Sequence, residues 1–205
     1  MEIRKVGVLG CGVMGGQIAA HLNNVGLEVI AFDLDKETAD KGMEATKKLR
    51  PSPYYNIKTA DSIKTASFDD LELIKDCDWV VEAIAEKIEW KTGLYSKIES
   101  FLSKDAILTS NTSGLQLSDL TESMSDSLKS RFFITHFFNP PRYMKLVEFI
   151  VSDKNSSDTV DFMENFITDA LGKGVVMAKD TPNFIANRIG TFGMMICLQQ
   201  AYKNN

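Results

Sequence analysis

The chain has 205 residues, of which 44% are hydrophobic and 25% charged, and its formal net charge is −5. Its length allows one sizeable hydrophobic core. The negative charge argues against a nucleic-acid-binding protein and against a polybasic membrane anchor, and the sequence predicts no membrane span because no run reaches 18 apolar residues. Cys11, Cys77 and Cys197 are widely spaced and form no C-x-x-C pair, which favours a reduced, cytoplasmic protein.

The N-terminal stretch, residues 3–33, has the order strand, glycine turn, helix, strand, acidic residue. A short apolar run leads into Gly10, Gly12 and Gly15, which have G-x-G-x-x-G spacing. Apolar residues then recur at helical spacing, and a second apolar run ends in Asp33. This order predicts a dinucleotide-binding βαβ unit.

Each part of this stretch has a physical task. Gly10 permits a tight turn, Gly12 lets a pyrophosphate approach the backbone, and Gly15 lets the helix pack close to the strand. The helix N-terminus favours the negative phosphates. Asp33 can accept hydrogen bonds from the ribose hydroxyls and would repel a 2′-phosphate, which favours NAD over NADP. The alternative is a structural glycine turn without a ligand.

The next part of the chain alternates predicted helices and strands. Helices are predicted at residues 36–49, 69–74 and 88–102, and strands at residues 62–66, 79–84 and 107–109. Such alternation predicts an α/β fold, namely a Rossmann-type, doubly wound and mostly parallel sheet. The loops after the strands should then carry the chemistry.

Further elements follow the polar loop at residues 110–114. Strands are predicted at residues 131–138, 144–151 and 175–177, and a helix at residues 160–171. A last helix is predicted to open with Thr181 as its N-cap and Pro182 at its first position.

The chain has two histidines, and they differ in setting. His21 lies inside the first helix as a solvated or packed side chain, whereas His136 lies near the end of a strand. A histidine in such a place is more often structural than catalytic, but Glu148 lies on the following predicted strand. If the two strands pair, Glu148 can hold the tautomer of the imidazole, and the other ring nitrogen can act as a general base. Alternatively, Glu148 is a surface carboxylate on an edge strand.

Six motifs follow one another along this chain: Gly10-Cys-Gly-Val-Met-Gly15, Val81-Glu-Ala-Ile-Ala-Glu86, Ser110-Asn-Thr-Ser113, His136-Phe-Phe-Asn-Pro140, Met144-Lys-Leu-Val-Glu148 and Lys179-Asp-Thr-Pro-Asn-Phe-Ile-Ala-Asn187. In this combination the chain resembles the L-3-hydroxyacyl-CoA dehydrogenases of fatty-acid β-oxidation. The resemblance extends from Ile3 to Tyr202 and is closest to bacterial-type multifunctional members. It implies hydride transfer from C3 of an L-3-hydroxyacyl-CoA to NAD.

The resemblance also implies roles for individual residues. His136 would be the catalytic base, polarised by Glu148, while Ser113 and Asn187 would position the substrate oxygen and the nicotinamide. Contacts with the dinucleotide would come from Gly10, Gly12, Val13, Met14, Gly15, Asp33, Glu86, Lys91, Ser113 and Asn139. No metal is implied. Without the resemblance, Ser113 would be a turn residue and Asn187 a polar residue of a helix.

The chain departs from the family pattern in two places. Residues 36–62 are shorter than the helical hairpin with which many members contact CoA, and the family continues into an all-helical domain that usually makes the dimer. We therefore expect an NAD-binding domain at residues 1–182 and the first helix of a truncated helical domain at residues 183–205. Because apolar residues occupy nearly every side of this helix, we expect a homo-oligomer or a helical partner domain, and weak activity in an open cleft.

Two other functions remain open from the sequence. Another β-hydroxyacid dehydrogenase would share the opening βαβ unit, but it would ordinarily use a lysine base and lack His-Phe-Phe-Asn-Pro. A non-catalytic dinucleotide-binding half would bind NAD and need a partner chain for turnover.

Overall fold

The computed structural model describes residues 1–204 and contains one eight-stranded sheet with helices. The strands are β1 (Lys5–Leu9), β2 (Glu28–Asp33), β3 (Lys64–Ser67), β4 (Trp79–Glu82), β5 (Ile107–Ser110), β6 (Phe132–Phe137), β7 (Leu146–Ile150) and β8 (Gly174–Ala178). The α-helices are α1 (Val13–Asn24), α2 (Lys36–Lys47), α3 (Ile88–Ile98), α4 (Leu117–Thr121), α5 (Asp126–Lys129), α6 (Ser157–Asn165) and α7 (Ala186–Lys203). Two 3-10 helices cover Ile57–Ser62 and Phe68–Asp76, and a π-helical turn at Phe166–Ala170 extends α6.

The order of the strands in the sheet is β3-β2-β1-β4-β5-β6-β7-β8. Strands β1 to β6 pair in parallel, β7 is antiparallel to β6, and β8 is parallel to β7. This arrangement confirms the predicted mostly parallel, doubly wound sheet. The order reverses between β1 and β4, and in such sheets the ligand binds beyond the carboxyl ends of the strands at this point.

Successive side chains of a strand point to opposite faces of the sheet. Since successive residues here are apolar, both faces of the sheet are packed against apolar layers. Phe133 belongs to the apolar layer that includes residues of α1 and α6, whereas the neighbouring Phe132 belongs to the layer that includes residues of α3. All six residues of β6 are buried. The strand that carries His136 is therefore held rigidly from both sides.

The predicted start of the last helix is wrong. Thr181 and Pro182 lie in a loop, and α7 begins at Ala186. Between them, Asn183 and Phe184 have positive φ angles of 63° and 46°, a region that interrupts helical geometry. The reason is tertiary, because the Phe184 side chain is 1% exposed and inserts into the core.

The pH dependence of stability should reflect His21, which is 2% exposed in α1. Burial and the positive charge of Lys173 lower the pKa of His21 from 6.5 to about 4. The unfolded chain binds this proton below about pH 6.5, whereas the folded chain binds it only near pH 4. The free energy of unfolding should therefore fall by about 3 kcal/mol as the pH is lowered from 6.5 to 4. Urea unfolding at several pH values measures this slope. The His21→Leu variant should lose that part of the slope, and an unchanged slope would contradict the assignment.

Candidate active site

The four residues predicted for catalysis form one connected group at one end of the sheet. His136 lies in β6, Glu148 in β7, Ser113 in the loop after β5, and Asn187 in the first turn of α7. The parallel strands β1, β4, β5 and β6 all end at this edge. The structure thus brings the group together beside the glycine turn after β1.

His136 and Glu148 are direct cross-strand partners in the antiparallel pairing of β6 with β7. The Nδ1 atom of His136 lies 2.8 Å from Oε2 of Glu148, and the two residues are 5% and 1% exposed. Since a carboxylate only accepts, Nδ1 donates and Nε2 is left as the basic nitrogen. The rings of Phe138 and Phe184 pack against the imidazole, with centroids 4.5 and 5.9 Å away.

The second carboxylate oxygen of Glu148 holds the beginning of α7. Its Oε1 atom accepts hydrogen bonds from the backbone N–H groups of Ile185 at 2.9 Å and Ala186 at 2.8 Å. The residue at the N-cap of α7 provides no side-chain cap, so the carboxylate from β7 satisfies these donors instead. Glu148 therefore fixes both the imidazole and the helix that carries Asn187.

Ser113 is fixed through its backbone. The Nδ2 group of Asn187 donates to the Ser113 carbonyl at 2.9 Å, and the Ser113 N–H donates to Oε1 of Glu86 at 2.7 Å. The same Glu86 oxygen accepts from Gly114 N–H and from the Thr112 hydroxyl. The Ser113 residue itself is exposed, which leaves its side chain available to a ligand.

A buried network beneath this loop was missed by the sequence analysis. Glu82, which is 0% exposed, accepts through Oε1 from Lys91 Nζ at 2.6 Å and from Ile84 N–H at 2.7 Å. Its Oε2 atom accepts from the Tyr95 and Ser110 hydroxyls. Burial and the Glu82 charge raise the pKa of the Tyr95 hydroxyl. The available signal was a carboxylate within the apolar run of β4.

The dinucleotide contact of Lys91 stays a prediction, and the structure places its side chain in the buried network around Glu82. Lys91 is 1% exposed, and its ammonium lies between Glu82 and Glu86, with Oε2 of Glu86 at 3.4 Å. A buried cation needs such partners because it has lost its hydration. This ion pair means that Lys91 also holds the Glu86 side chain in place.

The glycine turn fits a pyrophosphate. Gly10 has a φ of +98°, and a Cβ on Gly15 would lie 1.8 Å from the Gly10 carbonyl oxygen, whereas a Cβ on Gly12 would meet no atom within 4 Å. The first turn of α1, which contains Val13 and Met14, has no acidic residue and no side-chain cap. Its backbone N–H groups and the helix dipole are therefore suited to an anion.

Asp33 lies at the end of β2, beside the glycine turn. Its two oxygens accept from the backbone N–H groups of Cys11 at 2.7 Å and Leu34 at 2.8 Å, and it lines a cavity of about 460 Å³ together with Phe68 and Trp90. On the other side of α1, Oδ1 of Asn139 accepts from Gln17 Nε2 at 3.0 Å. Of the residues predicted to contact the dinucleotide, Gly10 and Asp33 therefore line the same cavity.

We predict that the chain binds NAD more tightly than NADP by at least about tenfold, or about 1.4 kcal/mol. The reason is that the Asp33 carboxylate can accept from ribose hydroxyls but would repel a 2′-phosphate. Titration with both dinucleotides measures the ratio. Asp33→Ser should narrow it, while Glu37→Ser, on the exposed face of α2, should not. Equal affinity in the unsubstituted chain would show that Asp33 does not contact the ribose.

Residues 5–181 match the family model described as "3-hydroxyacyl-CoA dehydrogenase, NAD binding domain". The chain belongs to this family. The probable 3-hydroxyacyl-CoA dehydrogenase of Bacillus subtilis is 41% identical over 98% of the chain, and that of Deinococcus radiodurans is 42% identical over 99%. The chain spans 28% and 61% of the lengths of these two relatives.

Solved structures of 3-hydroxyacyl-CoA dehydrogenase relatives share the fold. The (S)-3-hydroxybutyryl-CoA dehydrogenase PaaH1 of Ralstonia eutropha is 31% identical, with a TM-score of 0.80, over 92% of this chain and 68% of that protein. The superposition with FadB2 of M. tuberculosis covers 100% of this chain and 73% of FadB2, with a TM-score of 0.88. At 24% sequence identity, this similarity supports the fold alone. Membership of the family confirms the predicted NAD cofactor.

Proposed function

We propose that this NAD-binding domain carries the catalytic base of a 3-hydroxyacyl-CoA dehydrogenase, which oxidises L-3-hydroxyacyl-CoA to 3-ketoacyl-CoA in fatty-acid β-oxidation in the cytoplasm. The observation that carries the proposal is the 2.8 Å pair of His136 and Glu148 at the edge of the dinucleotide cleft. A lysine base, as in other β-hydroxyacid dehydrogenases, is not required by this arrangement.

In the proposed reaction, Nε2 of His136 accepts the proton of the C3 hydroxyl group. The Glu148 carboxylate stabilises the resulting imidazolium and keeps Nδ1 protonated throughout. Phe138 and Phe184 pack against the ring and hold its orientation. The bound nicotinamide supplies the acceptor for the C3 hydride.

Ser113 and Asn187 are proposed to position the reacting groups. Their mutual hydrogen bond joins the loop after β5 to α7, so a substrate oxygen held by either side chain keeps a fixed distance from His136. Glu86 and Asn139 are proposed to contact the dinucleotide. Because the reacting groups are held in place before the reaction, less entropy is lost on reaching the transition state.

The test is NADH formation from L-3-hydroxybutyryl-CoA, measured beside NAD binding in the same preparation. Turnover supports the proposal. NAD binding without turnover would favour the alternative, a non-catalytic half that depends on a partner chain. The observation behind that alternative is the exposure of α7.

Helix α7 has an apolar surface with no partner among residues 1–204. Its exposed apolar side chains are Ile189, Phe192, Met194, Met195, Ile196, Leu198 and Tyr202. Of the helices described, none is long and apolar enough to cross a bilayer. Exposed apolar surface of this kind marks an interaction site.

The division of the chain into residues 1–182 and 183–205 remains a proposal. Phe184 is buried, so the segment that begins at residue 183 starts within the core of the NAD-binding domain.

We predict that the chain self-associates through α7 at tens of micromolar, or binds a helical partner domain, and that its turnover alone is weak because the cleft is open. Sedimentation and light scattering measure the association. Phe192→Lys, which places a charge on the exposed surface, should shift the chain toward monomer, while Lys203→Ala should not. A monodisperse monomer with full activity on a 3-hydroxyacyl-CoA would contradict this prediction.

A further inference from the structure

A buried carboxylate lies beneath the loop that carries Ser113. The loop begins at Ser110, the last residue of β5, and Glu82 is the last residue of the neighbouring β4. Glu82 and Ser110 are register partners in the parallel pairing of these strands. Glu82 is 0% exposed, although the other residues of β4 are apolar. A charged side chain at this depth needs hydrogen-bond partners for both of its oxygens.

The two carboxylate oxygens of Glu82 face different elements. Oε1 accepts from Lys91 Nζ at 2.6 Å and from the Ile84 N–H at 2.7 Å. Oε2 accepts from the Ser110 hydroxyl at 2.7 Å and from the Tyr95 hydroxyl of α3. One carboxylate therefore holds α3, the turn after β4 and the beginning of the loop together.

The first connection from Glu82 to the loop passes through Ser110. The Ser110 Oγ atom donates to Glu82 and accepts from the Thr112 N–H at 3.2 Å. In addition, the backbone carbonyl of Glu82 accepts from the Asn111 N–H at 2.7 Å. The side chain of Asn111 in turn accepts from the Phe137 N–H at 2.9 Å. These bonds tie the beginning of the loop to β4 on one side and to β6 on the other.

The second connection passes through Lys91 and Glu86. Lys91 Nζ lies 2.6 Å from Oε1 of Glu82 and 3.4 Å from Oε2 of Glu86. The other oxygen of Glu86 accepts from the backbone N–H groups of Ser113 at 2.7 Å and Gly114 at 3.2 Å. Glu82 is therefore linked, through a cation and a second carboxylate, to the backbone of Ser113.

The energetics of a buried ion pair favour a role in orientation. The pair of Glu82 and Lys91 has lost the hydration of both charges, which offsets much of their attraction, so apolar side chains of similar volume are often at least as stabilising. Hydrogen bonds to a charged group are short, strong and specific in geometry. The main effect of the Glu82 carboxylate is therefore to fix where its donors lie.

We propose that Glu82 is a positioning residue for the dehydrogenase reaction, because it fixes the loop that presents Ser113 to the cleft. Since Glu82 is 0% exposed, it acts only through Ser110 and through the Lys91–Glu86 pair. This inference rests on the proposed function, in which Ser113 positions the reacting groups. It adds the residue that determines where Ser113 lies.

Two matched variants separate positioning from stability. Ser110→Ala and Tyr95→Phe each remove one buried hydroxyl donor from the same oxygen of Glu82, but only Ser110 belongs to the loop. Ser110→Ala should lower kcat for L-3-hydroxybutyryl-CoA oxidation about 10- to 100-fold, since small displacements of reacting groups have effects of this size. The Kd of NAD should stay unchanged, because the glycine turn and Asp33 are intact. Tyr95→Phe should lower the urea midpoint of unfolding to a similar extent and keep kcat.

Equal losses of kcat in the two variants, or full kcat in Ser110→Ala, would overturn the inference. A double-substitution cycle then tests whether Ser110 acts through Glu82. In Glu82→Gln the amide oxygen is expected to stay with Lys91, so the amide NH₂ group faces the Ser110 hydroxyl and the charge-assisted bond is lost. Adding Ser110→Ala to this variant should lower kcat by less than about threefold, since the two residues are coupled. If Ser110→Ala lowers kcat as much in that background as alone, Ser110 acts independently of Glu82 and the inference fails.

Amide hydrogen exchange gives a readout that does not depend on turnover. The Ser113 and Gly114 N–H groups bond to Glu86, and they should exchange at least about threefold faster in Ser110→Ala than in the unsubstituted chain. Tyr95→Phe should leave their exchange unchanged. Unchanged exchange in Ser110→Ala would overturn the inference, whereas the proposed function would still be supported by turnover of the unsubstituted chain. Conversely, faster exchange in a chain without dehydrogenase turnover would contradict the proposed function and support the placement of the loop by Glu82.

Discussion

The His136→Gln variant is expected to bind NAD as the unsubstituted chain does while its turnover falls by about 10²–10⁴-fold. The reason is that Nε2 of His136 is the basic nitrogen at the cleft, since Nδ1 is occupied by Glu148. A glutamine amide fills a similar volume but cannot accept the hydroxyl proton. Initial rates with L-3-hydroxybutyryl-CoA and NAD, beside an NAD titration, measure the two effects separately.

The matched control is His21→Gln, the same substitution in the buried histidine of α1. It should alter stability and leave the turnover of the folded chain nearly unchanged. A His136→Gln chain with undiminished turnover would refute the assignment of the base.

The Glu148→Gln variant is expected to lose turnover to a similar extent, about 10²–10⁴-fold, through the tautomer of His136. The two backbone N–H groups of Ile185 and Ala186 require an acceptor from residue 148. The amide oxygen would keep that role, so the amide NH₂ group would face His136 Nδ1 and donate to it. The imidazole would then carry its proton on Nε2, where a general base must be unprotonated.

The Glu148→Ala variant separates this effect from the capping of α7. It removes the acceptor from both N–H groups, which should lower the free energy of unfolding by about 1–3 kcal/mol for each group left unsatisfied. Glu148→Gln should keep most of that stability. Denaturant unfolding of the two variants measures the difference, and equal losses of stability would show that the carboxylate does not cap α7.

Much of the site could be predicted because its parts are local in sequence. Three features come at or directly after strand ends in the sequence: the spaced glycines after β1, the acidic residue at the end of β2 and the polar loop after β5. Parallel strands bring such ends to one edge of the sheet. The pairing of His136 with Glu148 was also predictable, since only a short loop separates their strands and the register makes them direct partners.

What the sequence missed depends on burial and on contacts between distant elements. The acidic residue of β4, Glu82, is conspicuous only once Lys91 and Tyr95 of α3 are seen to converge on it. Likewise, the beginning of α7 was placed too early because Thr181 and Pro182 are good local helix starters, and local propensity is a weak influence beside tertiary packing.

The amino-acid sequence by itself determined the βαβ unit and the mostly parallel sheet, because these depend on short-range patterns of glycine, apolar and polar residues. Only the tertiary structure decided that Glu148 also caps α7 and that Lys91 supports Glu86. The physical reason is that a buried charge takes whichever donors or acceptors the packed chain brings to it, and that choice is made by the fold rather than by neighbours in sequence.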